Sequence, residues 1–332
     1  MNEACNLKGD EQMNKKSFFK WLLAGLVVAL MATACTTPQE AQPEESKPTI
    51  RLAENSWLNA KLNTAVAKIL LEDEMGYPVE VVPIDGDGQF PALDKGELHA
   101  TLEVWVSGRS AEIQEYTEKG TVEIGGELGV VGRQGWFIPA YMLDEHPELA
   151  TWEGLKDPEI AALFSTPETG DKGQLFLGDP TWPYIGPDVI KGLELPLQAV
   201  YAGSEEALLA ALGEAYSKKE PILFYFWTPH TAFAQYELAE VKLPEYSEEC
   251  AARAETGGRD CGYPPDVLLK LLSSNLSDYA PEAYYFLKNF NYTNEDQIMM
   301  LGLVDVQGKT IEEAARLWIE QNENVWRAWM PY

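Results

Sequence analysis

The segment PILFYFWTPH, residues 221–230, decides how the rest of the chain is read. Residues 222–226 form a continuous apolar, β-rich run, the pattern of a strand covered on both faces of a parallel or mixed sheet. Thr228-Pro229 ends it, because proline has no N–H for the ladder and biases its predecessor towards extended backbone. Trp227 and His230 therefore arrive at the carboxyl end of a strand, where open α/β sheets place their ligands. The same residues also suit a blander arrangement, Trp227 in the core and His230 a capped loop histidine, and the segment alone leaves both open.

Upstream, residues 204–218 predict a helix with Ser204 as N-cap and Glu205 and Glu206 in the first turn. Before it comes a strand at 174–177, then GDPTWPYIGPDVI, a loop carrying Trp182-Pro183-Tyr184 that feeds a helix near Pro187. Residues 152–164 read as a turn and a short helix. The sequence GWFIPAYM, residues 135–142, reads as a strand able to cross between two domains, following a glycine-rich passage at 125–132. The opening is βαβ: a strand at 49–53, an amphipathic helix at 59–75, and a strand at 79–83. A helix at 89–96 and a third strand, HATLEVWV at 99–106, follow, with Trp105 at the strand's end. Downstream of His230 come a linker-like stretch, a polar insert from Cys250 to Cys261, helical segments at 265–272, 280–290 and 294–303, and a last helix at 310–329. Trp326 and Trp329 share a face of that last helix and read as core.

A chain of 332 residues with 45% hydrophobic residues fits two domains. The element order predicts an α/β architecture with two lobes and two crossings between them: 49–130 plus 234–332 as the first lobe, 131–233 as the second. Two crossings allow a bending closure around a ligand. The net charge of -28 argues against a nucleic-acid partner.

Lys15, Lys16 and Lys20 lead an apolar run at 21–31, and Ala32-Thr33-Ala34-Cys35 follows, so residues 1–34 read as an export signal too short to span a membrane. Met13 is a candidate true start. The small residues before Cys35 resemble a bacterial lipobox, with Ala32 where leucine is commoner. Lipidation of Cys35 and ordinary cleavage both fit. The polar, Pro- and Glu-rich stretch at 35–48 is the composition of a tether and favours the lipid anchor. In an exported chain Cys250 and Cys261 are expected to pair, whereas His99, His146 and His230 are too scattered for a metal site.

No Gly-x-Ser-x-Gly elbow, His-Glu-x-x-His pair or phosphate loop is present. Asp85-Gly86-Asp87-Gly88 begins like a calcium loop, but Phe90 stands at the turn-glycine position and no acid falls at the twelfth, so it reads as a turn. Glu103 and Asp179 could in principle work as acid and base, yet nothing in their spacing demands it, and Glu103 beside Trp105 reads as structural. What remains is a set of indoles at strand ends and in loops of both halves: Trp57, Trp105, Trp182 and Trp227. Indole faces attract cations and can hold quaternary ammonium groups at about 2 kcal/mol per desolvated contact. Three contacts supply about 6 kcal/mol, short of the roughly 8 that micromolar binding needs, so a second anchor is expected. His230 and backbone N–H groups at the helix start near Asn59 would suit a carboxylate there.

The FWTPH and LEVW strand ends, the tryptophan of the second-lobe loop, GWFIPAYM, the CGYPP insert and the leader together resemble the substrate-binding proteins of ABC importers for glycine betaine and related quaternary amines. The resemblance runs from Thr49 to Trp329. It implies a two-lobed periplasmic-binding fold of type II, an extracytoplasmic location, an ABC permease with its ATPase as partners, no cofactor and no metal. Trp105, Trp182 and Trp227 would form the box, His230 would contact a carboxylate, and the loop from Trp57 to Leu62 would add backbone donors. Pro183 departs from the pattern because it has no N–H to offer. Asn59 or Tyr184 would have to substitute, and choline, carnitine or a sulfonium analogue then stand beside betaine. Two rival readings are the same fold with a non-cationic solute, and a lipid-anchored hydrolase built on His230 and Glu103, for which the sequence offers no convincing nucleophile.

Overall fold

The computed structural model describes residues 46–84 and 86–331. The expected leader at 1–34, the lipidation site Cys35 and the tether as far as residue 45 lie outside the described residues.

In chain order the main elements are β1 (Ile50–Glu54), α1 (Leu58–Asp73), β2 (Val79–Pro83), α2 (Gly86–Asp94), β3 (Ala100–Val104), α3 (Ser110–Glu118) and β4 (Val122–Pro139). Next come β5 (Gly173–Leu177), α4 (Gly186–Gly192), β6 (Leu197–Tyr201), α5 (Glu205–Lys218), β7 (Phe224–Thr228) and β8 (Leu238–Val241). The chain closes with β9 (Asp266–Ser273), α6 (Pro281–Asn289), α7 (Asn294–Asp305) and α8 (Ile311–Gln321).

The strand order is β2-β1-β3-β9-β4-β7-β5-β6, with β8 also paired to β4. β1 runs parallel to β2 and β3, and β5 runs parallel to β6 and β7, as βαβ units require. The joints are antiparallel: β9 pairs with β3 and with the first part of β4, while the last part of β4 pairs with β7 and β8. One long strand thus belongs to both lobes. Gly132 pairs with Asp266 on the first-lobe side and Arg133 with Thr228 on the second, so the crossing falls between those two residues.

Each lobe has its own apolar interior. In the first, Leu62, Val66 and Leu70 of α1 face Leu52, Phe286 and Trp318. Their spacing of four is the stripe that an amphipathic helix buries. In the second, Phe224 and Phe226 of β7, Leu175 and Leu177 of β5 and Leu208 and Leu212 of α5 interdigitate. Ser204 caps α5 by accepting from the Ala207 N–H at 3.1 Å, and α7 and α8 open on reciprocal capping boxes, Thr293 with Asp296 and Thr310 with Glu313.

Several expectations need correction. Residues 265–272 are a strand, β9, not a helix. Leucine favours helices intrinsically, but antiparallel partners on both sides of DVLLKLLS and near-complete burial outweigh that preference. The glycine-rich passage is the body of β4, interrupted by register shifts. Gly129 is obligatory there: its φ is +93°, and a Cβ would lie 2.4 Å from the Tyr292 carbonyl oxygen. The second lobe also extends further than residue 233, since β8 pairs with Trp136–Pro139 and Val241 lies in the second-lobe core. The chain rejoins the first lobe at Asp266. Finally, the last helix stops at Gln321, and Trp326 and Trp329 follow on separate short turns. Both are buried in the first lobe, with the Trp318 and Trp329 rings stacked at 5.7 Å.

A disulfide joins Cys250 to Cys261, whose Cα atoms are 6.1 Å apart. It closes the insert that ends at Tyr263, and the Tyr263 ring packs on Tyr225 at 5.8 Å.

Candidate ligand-binding site

Four strand ends and loops converge at the seam between the lobes. Trp57 stands between β1 and α1, Trp105 directly follows β3, Trp182 lies in the loop from β5 to α4, and Trp227 is the fourth residue of β7. All four line one small cavity of about 30 Å³, with Gln134, Pro183 and Tyr225. Trp182 is central: its ring meets Trp57 edge-on at 6.1 Å and Trp227 edge-on at 5.1 Å. Trp105 closes the first-lobe side by lying against β4 at Gly132, where a Cβ would come within 2.3 Å of its ring.

The indoles of the first lobe are held by one carboxylate. Oε1 of Glu103 accepts from Trp57 Nε1 at 2.6 Å and from Trp105 Nε1 at 3.0 Å. Its Oε2 accepts from Asn63 Nδ2 at 2.6 Å and from Gln297 Nε2 at 3.2 Å. Glu103 sits on β3 and is 2% exposed. Burial pushes its pKa up to about 6 despite the four hydrogen bonds, which favour the charged form. It also lines an adjoining cavity of about 20 Å³ with Gln89, Arg109 and Thr181. The Arg109 guanidinium there is already bound to Asp87 and, at 3.1 Å, to Glu112, so the surroundings of the box carry an excess of negative charge.

On the second-lobe side Trp182 Nε1 donates across the seam to Ser56 Oγ at 3.0 Å, and Trp227 stacks on Phe226 at 4.6 Å. Tyr225 donates its hydroxyl proton to Gln134 Oε1 at 2.6 Å. Gln134 Nε2 donates to Asp266 Oδ2 at 2.7 Å and to Ser107 Oγ at 2.9 Å. These groups tie the cavity wall to β4, the strand shared by both lobes, and to the start of β9, where the chain rejoins the first lobe.

The expected carboxylate contacts are placed elsewhere. Neither His230 nor Asn59 lines the cavity; they are 6% and 1% exposed. His230 Nδ1 accepts from the Ala232 N–H at 3.0 Å, and its Nε2 lies 2.8 Å from Oε1 of Glu205. The other oxygen of Glu205 accepts the Leu58 N–H at 3.0 Å, so the helix start is engaged as well. Asn59 Nδ2 donates to the Pro229 carbonyl at 3.1 Å and to Gln297 Oε1 at 2.9 Å. Tyr184 stands behind the wall, edge-on to Tyr225 at 4.9 Å, and does not line the cavity. For the His230 ring, the Leu58 N–H and the Asn59 amide N–H groups, a neighbour brought in by the fold satisfies the donor expected to meet the ligand. Conversely, Tyr225 and Gln134 line the cavity and were not singled out. Tyr225 was findable, because it lies two residues before Trp227 and a strand has period two. Gln134 was not, since it faces Trp227 only through the pairing of β4 with β7.

Residues 48–321 match the family model for the substrate-binding domain of ABC-type glycine betaine transport systems. The chain belongs to this family. The glycine betaine transport family supplies the extracytoplasmic component that captures a solute for an ABC importer. A trimethylamine N-oxide-binding protein of Pelagibacter ubique (strain HTCC1062) is 27% identical over 311 residues, 92% of this chain and 98% of that protein. Among solved structures, lactococcal OpuAC in its closed form with glycine betaine superposes with a TM-score of 0.68 at 20% identity, covering 86% of this chain and all of that one. An ABC-transporter choline-binding protein in complex with choline gives 0.67 at 21% identity, covering 87% and 93%. These structures establish the two-lobed type II binding-protein fold. Among the described residues no helix is long and apolar enough to cross a membrane, and no group of three or more His, Cys, Asp or Glu is placed to hold a metal ion.

Proposed function

We propose that this protein captures a small trimethylated onium solute without a carboxylate, trimethylamine N-oxide first and choline second, and delivers it to an ABC permease driven by its ATPase. The observation that carries the reading is the double arrangement at the seam. Four indoles and Tyr225 surround the cavity beside a buried carboxylate, while the donors suited to a ligand carboxylate, His230 and the Leu58 N–H, are engaged by Glu205.

The magnitudes agree. With Trp57 added to Trp105, Trp182 and Trp227, four contacts of about 2 kcal/mol supply about 8, enough for micromolar binding without a second anchor. Apart from Gln134, the cavity is lined by aromatic rings and Pro183, a wall suited to a methylated head group. The relative that matches almost the whole chain is named for trimethylamine N-oxide. Glycine betaine is the second reading, favoured by the family description. A lipid on Cys35 would hold the protein at the outer face of the membrane, with the stretch to residue 48 as its tether.

Calorimetric titration with trimethylamine N-oxide, choline, glycine betaine, carnitine and the uncharged 3,3-dimethylbutan-1-ol tests this. Micromolar binding of one of the first two, with betaine and carnitine at least tenfold weaker, is expected. Betaine binding as tight as either, or an uncharged solute binding best, overturns the proposal. Recovery of the ligand unaltered separates a receptor from the hydrolase that His230 and Glu103 would otherwise suggest.

A further inference from the structure

We infer that Glu205 is the specificity-determining residue of this site: its side chain is an internal carboxylate seated on the donors that a betaine-type ligand would use. The inference rests on the proposed preference for carboxylate-free onium solutes and names the residue that enforces it.

Glu205 opens α5 in the second lobe and is 5% exposed. Its own helix does not need it, because Ser204 already caps α5. Instead it reaches across the seam. Oε2 takes the N–H of Leu58, the first residue of the 16-residue helix α1, whose N-cap Trp57 offers no side-chain acceptor. Oε1 lies 2.8 Å from His230 Nε2. Since His230 Nδ1 accepts from the Ala232 N–H, the proton of the ring sits on Nε2 and points at Glu205.

Both donors adjoin the box. Leu58 directly follows Trp57, and the His230 ring is 5.3 Å from that of Trp227. Glu205 therefore stands where the walls contributed by the two lobes meet. An entering ligand carboxylate would find both of these donors already taken, and a like charge seated on them. An onium ligand with no carboxylate is unaffected by the same arrangement.

A purely structural role, tying α1 to the second lobe, would alter stability and leave ligand preference where it was. The test therefore reads preference. In Glu205→Ala the ratio of the glycine betaine Kd to the trimethylamine N-oxide Kd should fall at least tenfold below that of the wild type. Sodium acetate, compared with sodium chloride at equal ionic strength, should raise the melting temperature of Glu205→Ala and not that of the wild type, because the small anion reoccupies the vacated donors. A ratio within threefold of the wild-type value together with no selective effect of acetate overturns the inference. If Glu205→Ala does not fold, the isosteric Glu205→Gln is titrated instead; a ratio lowered at least threefold supports the assignment, and anything less overturns it. Failure here is separable from failure of the parent reading. Wild-type protein that already binds betaine as well as trimethylamine N-oxide defeats the parent proposal before Glu205 is altered, whereas a selective wild type with an unchanged Glu205→Ala ratio defeats only the role given to Glu205.

Discussion

Replacing Trp182 by alanine isolates the contribution of one ring of the box. Trp182 is half-buried in a loop, belongs to no strand or helix, and touches two of the other indoles. Its removal therefore costs the scaffold little while it takes away the ring between Trp57 and Trp227. The loss of one desolvated cation–π contact, about 2 kcal/mol, corresponds to roughly 30-fold weaker binding. The same loss is readable as stability. At a ligand concentration of about 100 times the wild-type Kd, the bound wild type gains about 2.7 kcal/mol, whereas the variant stands at only about three times its own Kd and gains about 0.9. Calorimetric titration and melting curves with and without ligand measure both quantities. Choline and its carbon isostere 3,3-dimethylbutan-1-ol, titrated in parallel, separate charge from shape. The reasoning fails if Trp182→Ala binds the onium ligand within threefold of the wild type, or if the charged and uncharged isosteres lose affinity equally. Trp227→Ala is a poorer probe: Trp227 is 3% exposed in β7 and stacked on Phe226, so truncation there costs about 3 to 5 kcal/mol of fold as well.

Glu103 has a folded pKa of about 6, raised by burial above its ordinary 4.5, so between those pH values the folded chain keeps a proton that the unfolded chain has released. Its contribution to stability is therefore lost as pH rises through that window, by about 2 kcal/mol, and Glu103→Gln should lack the fall. His99, brought down to about 4 by burial and then by Arg51, works in the opposite direction as pH rises from about 4 to 6.5, so the difference between wild-type and Glu103→Gln denaturation curves is the quantity to measure. Lys270 is wholly buried, with Nζ donating to the carbonyls of Lys288 and Phe290, and burial takes its pKa down to about 7. The unfolded chain then holds the extra proton from about pH 7 to 10.5, so the wild type should gain stability relative to Lys270→Met on going from pH 7 to 9. Replacing Cys250 and Cys261 together by alanine should destabilise the chain by about 3 kcal/mol through the freed loop, read as a lower denaturation midpoint. A variant as stable as the wild type would show that the insert is held by packing alone.

The parts of this molecule that can be read from the sequence are those whose cause is local. The βαβ opening follows from alternation and helical spacing within thirty-odd residues, and Ser204 announces α5 by a bond only three residues long. The tryptophans were visible because they interrupt strand ends, where a core position is not expected. What could not be read depends on distant partners. DVLLKLLS is a strand because β3 and β4 lie on either side of it, and β4 runs on through its glycines because β9 pairs along it, with Gly129 leaving room for the Tyr292 backbone. Glu103 looked structural by itself; Gln297, 194 residues away, and Asn63 make it the hub that aims two rings. His230 reads as a ligand contact from its place at the carboxyl end of a strand, yet Glu205, 25 residues upstream, claims it.

The way the four rings are shared out bears on unloading. Trp57 and Trp105 are clamped together by Glu103 on one jaw, while Trp182 and Trp227 ride on the other, so any parting of the jaws divides the cage two and two. Half the cation–π attraction, about 4 kcal/mol, would vanish in that one movement, which is close to a thousandfold drop in grip. On the proposed function, prising the halves apart would by itself loosen the solute for handover to the permease, with no competing group needed inside the cage.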